Sequence, residues 1–208
     1  MKNNFLIFTA FCFGWSLGLP AWAIAQSAFG IQGGLHMSNA TVDGPTPFVA
    51  SAQGNFFLGF TARTPLNGRW ALNTDAQFTK RGFFLYQVRS MSEHRMGVQA
   101  LYADVAARME YNLFKNIGLE LGSYAGYRLA EYDLLTGSDH WVKAALPLTD
   151  AWDLGLQAGA IAHFQRWAAF VRYSHGVKAV ARLEITDVPG TVKIFNRGLQ
   201  VGLSYAFF

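Results

Sequence analysis

The chain ends on Asn196-Arg197-Gly198-Leu199-Gln200-Val201-Gly202-Leu203-Ser204-Tyr205-Ala206-Phe207-Phe208. Every second residue is apolar or amphipathic: Leu199, Val201, Leu203, Tyr205 and Phe207. Those between, Gly198, Gln200, Gly202, Ser204 and Ala206, are small or polar. A period of two marks a strand with two unlike faces. A core or edge strand of a soluble domain shares this period with a stave of a membrane barrel, so the rest of the chain decides between them.

Met1 to Ala25 read as a secretory signal. Lys2 opens it, Phe5 to Leu19 is its apolar run, and Ala23-Ile24-Ala25 before Gln26 is an A-x-A cleavage pattern. Phe11 before Cys12 is too bulky for a lipoprotein site. Cleavage removes the only cysteine, so residues 26–208 are expected to form one domain without disulfide or thiol chemistry. The chain is 51% hydrophobic and 15% aromatic but only 14% charged. Yet no stretch after the signal approaches the roughly 20 continuous apolar residues of a membrane helix. A barrel reconciles the two, because only alternate residues face lipid. The net charge of +4 is scattered rather than gathered in a block, which argues against a nucleic-acid partner.

Alternation recurs upstream. Strands are predicted at about Ala28–Ser38, Gln53–Thr64, Arg69–Phe83, Val98–Leu113, Ile117–Ala130, Ala151–Phe164 and Trp167–His175. The connections sort by parity. Those after the first, third, fifth and seventh strands are long; Pro65-Leu66-Asn67-Gly68, Phe114-Lys115-Asn116 and Gln165-Arg166 are short. Barrels with outer loops and periplasmic turns sort this way, and a β-sandwich would not. Every proline after the signal is expected in a loop or turn. One face of the strands is almost free of charge; the other carries Arg63, Asp75, Arg108, Glu110, Glu120 and Arg128. A soluble lipocalin-like barrel would reverse this, so the charged face is expected inside. Trp70, Tyr111, Phe164, Trp167 and Tyr205 fall near periplasmic strand ends, and Tyr127, Trp152 and Tyr173 near the others. Such rings form the aromatic girdles of membrane barrels.

The expected fold is therefore all-β: an eight-stranded antiparallel up-and-down transmembrane β-barrel with a filled polar lumen, located in the outer membrane of a Gram-negative cell. Eight strands leave an interior that side chains can fill. If Leu113 pairs with Ile117, Glu110 lies opposite Glu120 with Arg108 diagonal to it. If Arg63 pairs with Arg69, two cations meet at the periplasmic end. Like charges directly opposite repel. Arg63, Arg69, Arg108, Glu110 and Glu120 are therefore expected to form a luminal charge network that plugs the periplasmic mouth. Structural neutralisation is its plain role and a gated pathway the alternative.

Four segments carry a family resemblance. Phe29 to Asn39 is similar to an opening F-G-x-K-G-G-x-N-x-S-N, and Tyr102 to Tyr111 to Y-L-E-I-P-x-x-x-K-Y, with Ala106 in place of Pro and Glu110 in place of Lys. Leu119 to Tyr127 is similar to a G-x-Y-x-G-Y strand, and Asn196 to Phe208 to N-R-x-x-Q-L-G-x-x-Y-x-F. Together they resemble the PorT-type outer-membrane β-barrel family. The resemblance implies fold and location, and for some members assistance to export through the type IX secretion system. Gln200, Gly202, Tyr205, Phe207 and Phe208 also resemble the C-terminal signal read by the barrel assembly machinery, an expected partner during insertion.

His36, His94, His140, His163 and His175 lack metal-ligand spacing with each other or with an acid, so no metal and no cofactor is expected. His36-Met37-Ser38-Asn39 resembles the H-x-S-N pattern of outer-membrane lipid A deacylases, whose Ser and His act on the lipid-facing surface. The strand phase turns both side chains inward, and Ser174 and His175 cannot share a face. The expected role is non-enzymatic: a scaffold or interaction protein in contact with outer-membrane lipid and, through its periplasmic turns or outer loops, with a protein partner. A lipid-acting enzyme is the alternative.

Overall fold

The computed structural model describes residues 27–44, 48–87, 95–134, 140–145, 147–184 and 191–207. Residues 1–26, where the signal is expected and which include Cys12, the loop residues Glu93 and His94, and Phe208 lie outside the described residues. The period-two runs become strands β1 (Ala28–Asp43), β2 (Phe48–Asn67), β3 (Trp70–Gln87), β4 (Arg95–Phe114), β5 (Ile117–Leu134), β6 (Val142–Lys143), β7 (Trp152–Phe164), β8 (Trp167–Gly176), β9 (Ala181–Glu184) and β10 (Thr191–Ala206). Among the described residues there is no helix.

Eight of these are staves. β1 to β5, β7, β8 and β10 pair antiparallel in order, and β1 returns to β10 from Gly30↔Ala206 to Asp43↔Lys193. Closure leaves no edge whose backbone N–H and C=O groups would meet lipid unpaired. The short strands β6 and β9 lie against β5 and β10. Short turns join β2 to β3, β4 to β5 and β7 to β8, all at the end where β1 begins and β10 finishes. Gly68 (φ 51°) and Gln165 (φ 57°) take the left-handed conformation that such tight turns demand.

The wall is inside-out. Leu35, Phe60 and Leu121 are 69%, 67% and 65% exposed, while Arg108 and Glu110 are 1% and 0%. Two aromatic girdles bound this apolar belt, and the sheet register builds them as cross-strand pairs. Trp70 lies opposite Tyr111 with ring centroids 4.8 Å apart, and Trp167 opposite Tyr205 at 4.9 Å. At the far edge Tyr127 lies opposite Trp152 at 5.0 Å. Tyr111 pairs with Leu119, so eight residues of β5 separate the girdles. That is about 26 Å along the strand, or roughly 20 Å along the axis at a tilt near 40°, close to the height of a membrane barrel's apolar band.

Beyond the outer girdle the polarity of the wall inverts. Ala40, Phe83, Leu85, Val98, Val180, Ala181 and Ile194 form a buried apolar cluster inside. Asp43, Arg182 and Lys193 are exposed outside. Outside the bilayer the surroundings are water, so the ordinary rule of apolar burial returns. This explains where the predicted strand ends fall short. β1 continues past Ser38 to Asp43, β2 begins at Phe48 rather than Gln53, and β10 begins at Thr191 rather than Asn196. The ladder runs on, but the apolar-outward pattern that marks it in the membrane stops. Pro65, expected in a turn, lies within β2 opposite Ala71. A bulge between Pro65 and Asn67 absorbs its missing N–H.

Gly202 faces the lumen where a Cβ would sit 2.7 Å from the Cζ of both Phe57 and Phe170. Gly202→Val should destabilise the folded barrel by about 1–3 kcal/mol through overpacking. A lowered urea midpoint of the refolded barrel in micelles checks this; a wild-type midpoint would mean that the two rings simply move aside.

Candidate functional site

Inward residues of neighbouring staves share a parity, so the lumen fills in layers. Nearest the periplasmic turns, Glu110 receives Arg63 at 2.9 Å, Asn73 Nδ2 at 2.7 Å and the His163 ring at 2.9 Å. Asn73 Nδ2 also donates to Glu120 at 2.8 Å, which ties this layer to the next.

The middle layer is a closed ring of two acids and two guanidinium groups. Arg108 bridges Asp75 and, at 3.4 Å, Glu120; Arg172 bridges Asp75 at 3.2 Å and Glu120 at 2.8 Å. All four side chains are buried. Arg108 also donates to Gln157 at 2.8 Å and Arg172 to Gln32 at 3.1 Å. Phe170 lies beneath the Arg172 guanidinium, 3.7 Å from its ring centre, and packs with Phe57, Ile161 and Ala168.

A third layer centres on Arg81, which bridges Asp104 at 2.6 Å and also binds Asp153. Its guanidinium stands 4.9 Å from the ring centres of both Tyr102 and Tyr124, and Asn196 donates to Asp153 at 2.9 Å. Above it, Arg128 and Glu131 pin the outer loop. Glu131 accepts from the Leu148 and Thr149 backbone N–H groups and from the Thr149 hydroxyl, and Arg128 donates to Glu131 and to Thr149. The Asp150 N–H then donates to Val180 O and the Val180 N–H to Ile194 O. These bonds seat Val180, with no exposure, in the apolar cluster.

The structure gathers Arg63, Arg108, Glu110 and Glu120 but leaves out Arg69. Glu110 does lie opposite Glu120. A bulge makes Phe114, not Leu113, the partner of Ile117. Arg63 pairs with Asn73 rather than Arg69. Arg69 is exposed in the turn, its Nη1 3.4 Å from the Tyr111 hydroxyl. Past the barrel rim water and headgroups solvate a guanidinium better than a crowded lumen can, so the inward parity of Arg69 is not obeyed. Asp75, Arg172, Arg81, Asp104 and Asp153 complete the network. Their inward parity was readable from the strands; their pairing across the lumen was not. Of the C-terminal residues, Gln200 and Gly202 face the lumen, and Tyr205 and Phe207 join the periplasmic girdle, 6.1 Å apart.

His36 and Ser38 are buried in the lumen, not on the lipid face. The Ser38 hydroxyl donates to Gly82 O at 2.8 Å and accepts from the Gly82 N–H at 2.8 Å and from Asn55 at 3.0 Å. A hydroxyl so engaged, out of reach of a lipid acyl group, is a fastening between β1 and β3 rather than a nucleophile. His175 is exposed on the outer wall while Ser174 points inward. Among the described residues no three His, Cys, Asp or Glu side chains could hold a metal ion.

A family model described as outer membrane protein beta-barrel domain matches residues 24–182. Among solved structures, Neisserial surface protein A (NspA) is similar with a TM-score of 0.51 and 14% identity, over 87% of this chain and 99% of that one. OprG of Pseudomonas aeruginosa has a TM-score of 0.49 and 12% identity, over 87% and 96%. Ail, the attachment invasion locus protein of Yersinia pestis, has 0.45 and 18%, over 88% and 99%. No curated protein sequence matches. The likeness to NspA is one of fold.

Breaking a buried ion pair from one side costs more than the pair is worth, because the partner charge is stranded. Glu120→Ala leaves Arg108 and Arg172 short of an acid and should cost about 3–5 kcal/mol in urea unfolding of the micellar barrel. Glu110→Gln should cost less, because the Arg63 side chain is 32% exposed and can be rehydrated. Arg69→Ala should stay within about 0.5 kcal/mol of wild type. Equal losses at all three positions would contradict this layering.

Proposed function

Because the chain belongs to the outer membrane protein beta-barrel domain family, and so resides in the outer membrane, we propose that it is a non-enzymatic scaffold with a closed lumen that serves as an accessory to protein export. In this reading Met1 to Ala25 direct secretion and are removed. Gln200, Gly202, Tyr205, Phe207 and Phe208 are then read by the assembly machinery. The observation that carries the scaffold role is the stack of three ion-pair layers under an apolar cap. Solute passage would require parting the Asp75–Arg108–Glu120–Arg172 ring, with at least two buried charges left unpaired. A barrel that conducts nothing offers its partners its rims and wall. The resemblance to PorT-type barrels supplies the export role.

Two measurements test the two halves. In planar bilayers the purified barrel should show no conductance steps; regular steps would overturn the closed lumen. Crosslinking in intact cells, followed by mass spectrometry, should recover export components reproducibly with the barrel. Recovery of the barrel alone would remove the export role.

A further inference from the structure

The lipid-facing wall is not uniformly bulky. Across β1, β10, β8, β7 and β5 one row of cross-strand neighbours reads Gly33, Leu203, Ala169, Ala162 and Ile117. Three small residues in this row, with Ala160 beside them, leave a groove of about 550 Å³. The groove opens outward, since the Leu35, Val171 and Val201 side chains that flank it are all exposed. A second hollow of about 440 Å³ shares Gly33 and Leu203 with it and reaches Trp167 and Tyr205 of the periplasmic girdle. The two form one concavity within the membrane belt.

Its periplasmic end lies between two turns. Ile117 follows the turn that carries Lys115, and Trp167 follows the turn that carries Arg166; the His163 N–H joins the two turns by donating to Asn116 O at 2.7 Å. Lys115 and Arg166 are exposed, and neither makes an ion pair among the described residues. The third short turn is also cationic, through Arg69. The exposed acids among the described residues, Asp43 and Asp150, both belong to the opposite end. An apolar channel at hydrocarbon depth thus ends beneath two cations and a tryptophan at headgroup depth.

We infer that this groove is a binding site for one anionic phospholipid of the periplasmic leaflet, with an acyl chain along Gly33, Ala169 and Ala162 and the phosphate between Lys115 and Arg166. The small residues supply a recess that a flexible chain fills better than a Leu-studded wall does. The cations supply the headgroup preference. A second copy of the chain fits less well, because it would bring its own cationic turns against these. The inference rests on the membrane location and not on the export role.

Trp167 allows a direct test. The full mature barrel is refolded into phosphatidylcholine vesicles containing equal fractions of either brominated phosphatidylglycerol or brominated phosphatidylcholine. The Trp167 emission is taken as wild type minus Trp167→Phe. Two cations at the surface predict that brominated phosphatidylglycerol associates with a constant on the order of tenfold higher. Lys115→Gln with Arg166→Gln should abolish that preference while leaving quenching by brominated phosphatidylcholine unchanged. Ala169→Leu, which touches neither lumen nor turn, should reduce quenching by both lipids. Soluble glycerol phosphate should displace neither. Equal quenching by the two lipids in wild type, or a preference that survives the double substitution, would overturn the proposal. So would a change of sedimentation, rather than of quenching, in Ala169→Leu.

Discussion

The ring of Asp75, Arg108, Glu120 and Arg172 is the interaction on which the rest of the barrel depends. Side chains fill the lumen at this level and bury all four charged groups, so the charges must neutralise one another. Each guanidinium therefore touches both acids, and each acid both guanidinium groups. The ring sums to zero charge. Such a cluster contributes little net stability compared with an apolar core, because desolvation offsets most of the attraction. It does contribute uniqueness. A one-residue slip of β3, β4, β5 or β8 would turn its ring charge toward lipid, so the ring penalises wrong registers of these staves far more than it rewards the right one.

The same constraint accounts for the inversion at the outer girdle. Between the aromatic pairs the exterior is hydrocarbon, so apolar residues face out and charges must find one another inside. Beyond Tyr127 and Trp152 the exterior is water. The same eight staves then behave as an ordinary soluble domain, with Phe83, Val98 and Ile194 inside and Lys193 and Asp43 outside. That apolar layer gives the loop residues Val180 and Leu148 something to pack on, and the Arg128–Glu131 pair holds the neighbouring loop beside it. The mouth is thus closed by packing at the outer end and by ion pairs at the inner one.

At the periplasmic end the turns place cations next to girdle aromatics, as in Arg69-Trp70 and Arg166-Trp167. Arg69 shows why. Its parity points to the lumen, and its carbonyl still accepts from the Asn112 N–H, but its side chain leaves from the turn at the rim, where it is exposed and the guanidinium can reach headgroups and water. Position along the strand, not parity alone, decides which solvent a side chain meets.

The sequence alone determined the strands within the membrane, their inward and outward faces, both girdles, and the sorting of turns from loops. All of these follow from a period of two and from turn residues, which are local. It determined likewise that His36 and Ser38 share an inward face; the expected Glu110–Glu120 juxtaposition rested on a Leu113–Ile117 pairing, which a bulge replaces while keeping the two acids opposite. Only the tertiary structure decided which charges pair across the lumen. Arg172 meets Asp75 at 97 residues' separation and Gln32 at 140, through a closure and stagger that no single strand encodes. Two bulges near turns, at Pro65/Asn67 and Asn112/Phe114, each shifted neighbours by one residue, and the first set Arg63 opposite Asn73 rather than Thr74. The apolar cap was hidden because the alternation changes sense where lipid gives way to water, and that boundary exists only once the barrel is assembled.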